Sequence, residues 1–197
     1  MSSSPAEGGS RAVRESATRR ALIQATAQIM LDEGYAAATS RRVAAKAGVR
    51  PALVHYYFPS MDDLYLAVLR AGAEVNLHRQ RDALTEEAPL HALWRLNSTQ
   101  GAHLWMEFMA LANHRKAIRS EIASYADRFR DLEESALAMA LHAHQVDVDE
   151  FPPVVMSMIV ASLARILLLE RGLGITRGHA EAQEFIDRYL DRFDLPS

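Results

Sequence analysis

Residues Gly48–Met61 read GVRPALVHYYFPSM. The run Val54-His55-Tyr56-Tyr57-Phe58 has the β-branched and aromatic character that suits a strand. Its flanks say otherwise. Gly48 can supply the positive φ of a tight turn. Pro51 suits the first position of a helix, where its missing N–H costs nothing. Pro59 drives Phe58 out of the helical region. The spacing therefore predicts a short helix from Pro51 to about Tyr57. Ser60 then caps a fourth helix, with Asp62 and Asp63 in its first turn, where negative charge suits the helix dipole.

On the N-terminal side, Thr39 is the N-cap of another short helix over about Ser40–Ala47. Before that, Leu22, Ala25, Ile29 and Met30 mark one face of a helix from about Ser16 to Glu33, which stops at Gly34. The two short helices joined at Ala47-Gly48-Val49 have helix-turn-helix dimensions. In such a unit the first helix crosses the DNA backbone and the second enters the major groove. Val43, Ala44, Ala47, Val49, Val54 and Phe58 can form the small core between the first three helices, which leaves Arg41, Arg42, Lys46 and Arg50 outside. His55, Tyr56 and Tyr57 end the second helix with polar tips able to reach phosphates.

Helical periodicity continues to the C-terminus. The fourth helix runs to about Arg81, and Pro89–Asn97 and Gln100–Asn113 supply the next two. A long seventh helix from Arg115 to about His144 carries the stripe Ile118, Ile122, Tyr125, Phe129, Leu132, Ala136, Met139 and Ala143. Phe151–Arg171 is apolar nearly all round and requires burial on more than one side. Gly178–Phe193 ends the series with Phe185, Ile186, Tyr189, Leu190 and Phe193 on one face. The predicted class is all-α, with about nine helices and no sheet. Its organisation is a flexible tail over residues 1–15, a helix-turn-helix domain over 16–59 and a helical body over 60–197.

Composition narrows the functional classes. Of 197 residues, 49% are hydrophobic and 24% charged, as in a globular protein with a sizeable core. The absence of cysteine removes disulfides and thiolate metal sites. The uncharged apolar stretch Phe151–Ala164 falls short of the roughly 20 residues a bilayer needs, so it reads as a core helix. The N-terminal residues lack a signal-like apolar segment, and the expected location is the cytoplasm with no membrane partner. The net charge of −3 is uneven. Residues 1–60 carry eight basic and four acidic side chains, whereas the remainder carries 14 basic and 21 acidic. A basic head on an acidic body points to a polyanion partner for the head alone.

The segment Thr18–Arg70 resembles the DNA-binding head of TetR-family transcriptional regulators. The matching pieces are Gly34-Tyr35, Thr39, Val43-Ala44, Ala47-Gly48-Val49, Tyr57-Phe58, Ser60 and Leu64, in order and at the family's spacing. The segment covers about a quarter of the chain. The resemblance implies double-stranded DNA as partner, with contacts from Thr39, Ser40, Arg41, Arg42, Arg50, Pro51, Ala52, His55, Tyr56 and Tyr57. Arg41 can reach guanine O6 and N7 bidentately. Pro51 and Ala52 can pack on thymine methyls, and Tyr56 and Tyr57 suit phosphates. Three positions depart from the family pattern. His55 replaces a phosphate-binding Tyr, Met61 a Lys at the head of the fourth helix, and Arg50 a Ser-like cap.

The same resemblance implies a homodimer and a small-molecule effector bound by the body. Trp94, His103, Trp105, Met106, Met109, Tyr125, Phe129 and Met139 supply aromatic and flexible side chains of the kind that line ligand sites, and suggest an apolar or aromatic effector. Met156, Ile159, Leu163, Leu167, Phe185, Ile186 and Tyr189 on the last two helices are the candidate dimer interface, which a four-helix bundle with a second subunit would bury. The expected function is a repressor on a pseudo-palindromic operator, released by its effector. The rival is a helical carrier whose head has lost sequence-specific DNA binding, kept open by His55 and Met61 and opposed by the basic side chains.

An enzyme is disfavoured. His142 and His144, two apart on a helix, point to different faces. HExxH and GxSxG motifs are absent from the sequence. Gly172–Gly178 follows a helix and reads as a stop and turn. Asn97-Ser98-Thr99 fits a glycosylation sequon without other signs of secretion. No metal or cofactor is expected.

Overall fold

The computed structural model describes residues 5–86, 88–97 and 100–193. In order it contains α1 (Pro5–Glu33), a 3-10 turn (Tyr35–Ala37), α2 (Ser40–Lys46), α3 (Pro51–Tyr57), α4 (Met61–Ala83), α5 (Pro89–Leu96), α6 (Gln100–Ala112), α7 (Lys116–Ala143), α8 (Pro153–Gly172) and α9 (His179–Asp191). The described residues hold no strand, and the class is all-α as the periodicity requires. The sequon's Ser98 and Thr99 lie outside the described residues.

Two compact units divide the chain. The first comprises the chain to Ala71 together with Met106–Ile122; the second comprises Gly72–Trp105 and the chain from Ala123. In the first unit, Leu22, Ile29, Met30, Val43, Ala44, Val54, Phe58 and Leu64 are almost fully buried, with Phe108, Leu111 and Ile118. Polar contacts tie the three-helix head to its neighbours within this unit. The Glu107 carboxylate accepts a 2.8 Å bond from the Tyr35 N–H. The Tyr65 hydroxyl donates to the Ala38 carbonyl at 2.9 Å. Arg115 pairs with Asp62 at 3.0 Å, and Arg70 forks onto Glu121 at 2.7 and 3.0 Å. The unit thus takes in more chain than residues 16–59.

In the second unit, a core of Leu90, Leu93, Trp94, Ala136, Leu137, Ala140, Ala164, Leu167, Ile186 and Leu190 joins α5, α7, α8 and α9. A smaller cluster gathers Ala73, Leu77 and Tyr125, with Trp105, Phe129 and Leu132 against it.

Three elements differ from expectation. Helix α1 begins at Pro5, inside the stretch read as a flexible tail. Pro5 is tolerated in the first turn, and lengthening an existing helix avoids the cost of a new nucleus. The apolar stripe of α7 drifts beyond Leu132. Met139 and Ala143 are exposed, while Glu133, Leu137, Ala140 and Leu141 are buried. Steps averaging 3.5 residues fall behind a helix of 3.6 per turn, so a long stripe rotates away from its partner. Helix α8 buries one face only, through Ser157, Ala161, Ala164, Leu167 and Leu168. Val155, Met158, Ile159, Ile166 and Leu169 remain between 43% and 50% exposed. By length and composition it is also apolar enough to cross a membrane, which the 14-residue uncharged stretch had not suggested.

Candidate nucleic-acid interface and ligand cleft

The head presents a short helix at each side of a glycine turn. Thr39 Oγ1 accepts the Arg42 N–H at 3.4 Å and so caps α2. At the other end Gly48 takes φ 67, and the Val49 N–H returns to the Ala44 carbonyl at 3.0 Å. This left-handed stop satisfies the last carbonyls of α2 and redirects the chain. Pro51 then opens α3 from an extended Arg50, and an extended Phe58 with φ −136 closes it. Ser60 and Asp63 cap α4 reciprocally. The Ser60 hydroxyl accepts the Asp63 N–H at 3.2 Å, while the Asp63 carboxylate accepts the Ser60 N–H at 3.0 Å.

Within this frame Val54 and Phe58 are buried, whereas Arg50, Pro51, Ala52, His55 and Tyr56 face outward and Tyr57 is half-buried. Tyr56 is 65% exposed and meets Tyr57 edge-to-face at 5.0 Å. Arg19 from α1 lies 5.0 Å over the Phe58 ring. Thr39, Arg41 and Arg42 are exposed and Ser40 is half-buried.

The basic side chains fall into two classes. Arg42 Nε reaches Glu33 at 3.2 Å, and Lys46 Nζ reaches Asp32 at 3.2 Å. The Gln28 amide and the Lys46 ammonium hold the Asp32 carboxyl below its ordinary range. The Arg41 and Arg50 side chains make no ion pair or hydrogen bond among the described residues. Their charge is available to an external anion, and that of Arg42 and Lys46 is partly neutralised from α1.

Three of the eight side chains expected to line a ligand site come together within the second unit. Trp105, Tyr125 and Phe129 meet, with ring centres 5.1 Å apart for Trp105–Phe129 and 6.2 Å for Tyr125–Phe129. The Tyr125 hydroxyl donates to Glu74 at 2.9 Å, and the Arg128 guanidinium covers the Tyr125 ring at 4.8 Å while pairing with Glu74 at 2.8 Å. Hydrogen bonds from Arg128, then Tyr125, hold the Glu74 carboxyl below its usual range. Trp94 belongs to the other core. His103, Met109 and Met139 are exposed, and Met106 is half-buried in the first unit.

A cleft of about 310 Å³, counting its open mouth, lies elsewhere in the second unit. Leu90, Leu93, Leu137, Val160 and Leu190 form its walls, with Asn97, Glu133 and Ser157 as polar members. Glu133 is 9% exposed and accepts the Ser157 hydroxyl at 2.7 Å. Burial pushes its carboxyl above the usual range, against hydrogen bonds from Ser157 and Asn97 and the charges of Arg130 and Arg165. Sequence reading passed over this group, although one signal was present. Glu133 interrupts the sequence Phe129, Ala136, Ala140 at helical spacing, and Ser157 interrupts an otherwise apolar face of α8.

Of the candidate dimer residues, Ile159 and Phe185 are 50% and 58% exposed. Met156, Leu163 and Tyr189 are half-buried against the core, and Leu167 and Ile186 lie within it. Tyr189 stacks on Phe185 at 6.4 Å.

A capped helix, a glycine turn and an outward-facing second helix define a helix-turn-helix protein of the all-α class. Residues 22–68 match the family of bacterial regulatory proteins, tetR family. Over those residues the chain carries the DNA-binding head of a TetR-family transcriptional regulator. It is 27% identical over 192 residues to the HTH-type transcriptional regulator BetI of Rhizobium meliloti (strain 1021), spanning 89% of this chain and 91% of that protein. A transcriptional regulator of Saccharomonospora viridis, solved in complex with choline, superposes with a TM-score of 0.74 at 18% identity, covering 89% of this chain and 96% of that one. The regulator FadR of Bacillus subtilis, solved with stearoyl-CoA, gives 0.65 at 11% identity over 79% of this chain and 87% of its own. These two likenesses establish the fold.

Proposed function

We propose that the chain acts as a homodimeric, ligand-responsive repressor of the cytoplasm, binding a pseudo-palindromic operator and leaving it when a small effector binds the body. The observation that carries the DNA half is the pairing pattern of the head. The Arg41 and Arg50 side chains flank the turn with no partner among the described residues, and Tyr56 is exposed. Arg41 reads a base edge from the start of α2 and Arg50 a base or phosphate from the start of α3, while Thr39, Ser40, Arg42, His55, Tyr56 and Tyr57 position the head on the backbone. Pro51 and Ala52 pack on thymine methyls.

Dimerisation is supported by the exposed apolar sides of α8 and α9, which a second copy would cover as a four-helix bundle. That arrangement spaces two recognition helices for half-sites one DNA turn apart. Choline and stearoyl-CoA in two related folds support a ligand-binding body. Effector binding would shift the population towards a form whose heads no longer match the half-site spacing, acting through α4, which belongs to both units.

Footprinting of the full chain on the DNA flanking its own gene tests the reading. The expected result is a protected short pseudo-palindrome at physiological salt. Weak binding indifferent to sequence would favour a helical carrier with a disabled head.

A further inference from the structure

The connection between α1 and α2 is held from outside the three-helix head. Gly34 follows α1 with φ 81, a left-handed conformation that glycine adopts freely. It is also the N-cap of the 3-10 turn Tyr35–Ala37, and without a side chain it supplies no capping bond. The Glu107 carboxylate of α6 takes that place and accepts the Tyr35 N–H at 2.8 Å. At the far end of the same turn, the Ala38 carbonyl accepts the Tyr65 hydroxyl of α4 at 2.9 Å, with Ala38 and Tyr65 both buried. Two side chains thus fix the two ends of one short connection.

Both side chains stand on firm supports within the first unit. Phe108 and Leu111, almost fully buried, anchor the turn of α6 that carries Glu107. Arg115–Asp62 at 3.0 Å and Arg70–Glu121 at 2.7 Å tie the residues that follow to α4. The connection in turn delivers α2. Thr39 comes directly after Ala38, returns its N–H to the Ala37 carbonyl at 2.8 Å and caps the helix at Arg42. Arg41 lies in the first turn so placed. Recognition of base edges needs side chains held to within about 0.5 Å by partners locked in their own packing, whereas phosphate contacts carry no sequence information. A carboxylate is itself repelled by phosphate, so Glu107 does not serve as a DNA contact.

We propose that Glu107 and Tyr65 are positioning residues for base readout, capping and pinning the α1–α2 connection and so setting the entry of α2 without touching DNA. This role rests on the DNA-binding reading of the head. Binding of the full chain to operator and to random duplex tests it, together with amide exchange at Tyr35. Glu107→Leu removes the acceptor and should cut operator affinity about tenfold, while affinity for random duplex stays within about twofold. Glu107→Gln keeps an acceptor oxygen and should recover most of the loss. Tyr65→Phe removes only the hydroxyl and should act in the same direction as Glu107→Leu. The Tyr35 amide should exchange faster in Glu107→Leu than in the parent. Affinities refer to the active fraction fixed by stoichiometric titration, because a purely structural defect lowers that fraction and leaves the operator-to-random ratio intact. Should Glu107→Leu fail to fold, Tyr65→Phe carries the test. A ratio unchanged in either variant would overturn that residue's role, and unchanged Tyr35 exchange in Glu107→Leu would overturn the cap. A parent chain without sequence preference refutes the repressor reading and the positioning role together. A selective parent with an equally selective Glu107→Leu variant refutes the positioning by Glu107 alone.

Discussion

Arg41 and Arg50 differ from Arg42 and Lys46 in what α1 places opposite them. Asp32 and Glu33 end α1 and neutralise the latter pair, and among the described residues nothing equivalent reaches the former. The four basic positions were legible in the sequence because helix spacing leaves them outside the small core. Their inequality was not, since it depends on how the end of one helix meets the side of another. Arg41→Ala should lose about 1–3 kcal/mol of discrimination at one base pair, whereas His55→Ala should weaken all sites alike. Binding across an operator library reads both, and identical profiles would refute the division of roles. Asp32→Asn should free Lys46 for phosphate and steepen the dependence of log K on log salt by about one; an unchanged slope would place Lys46 away from DNA. At Glu133 the pH sign follows from its raised pKa. The folded state holds this proton more tightly than the unfolded chain, so stability falls as pH rises from the ordinary 4.5 through the higher folded value. Glu133→Gln should therefore raise the melting temperature at neutral pH, with the gap closing in acid. A gap constant with pH would show that the carboxyl is not titrating as assigned.

Elements with covalent or steric punctuation were the ones read closely. Pro51 and Pro59 fix α3 to Pro51–Tyr57 in sequence and structure alike, because proline constrains its own φ and its predecessor's conformation whatever the tertiary setting. The buried register of α7 past Leu132 was misjudged, because it depends on the neighbours that reach the helix there. The leucine-walled cleft escaped for the same reason, since its residues come from four helices and the cap of one of them and share no local motif. The Ser60–Asp63 cap lies between these extremes. Ser60 was legible as a cap, but the reciprocal carboxylate needed geometry. Ser60→Ala should destabilise the chain by about 1 kcal/mol, visible in urea denaturation. A cost within error of zero would mean that the helix N-terminus is satisfied by water.

At the scale of the molecule the unresolved surface is the outer side of α8. Val155, Met158, Ile159, Ile166 and Leu169 recur at helical spacing and stay about half exposed, while Ala161, Ala164 and Leu168 on the opposite side are buried. An apolar helix with a single covered face needs a second cover. The sequence indicated that α8 requires burial on more than one side, without separating residues that serve the chain's own core from those left over. Leu167 illustrates the distinction: it sits in the internal core, so Leu167→Ala should cost the fold about 2–5 kcal/mol. Ile159→Asp tests the outer face, because a charge there costs a monomer little and a packed interface much. The expected outcome is a folded monomer by sedimentation, with a circular dichroism spectrum like that of the parent chain. Operator affinity should collapse while weak, salt-sensitive binding to any DNA survives, since one head retains its phosphate contacts and loses only its pairing with a second half-site. If Ile159→Asp remains dimeric, the copies meet on another surface, and the exposed side of α8 must serve a different partner.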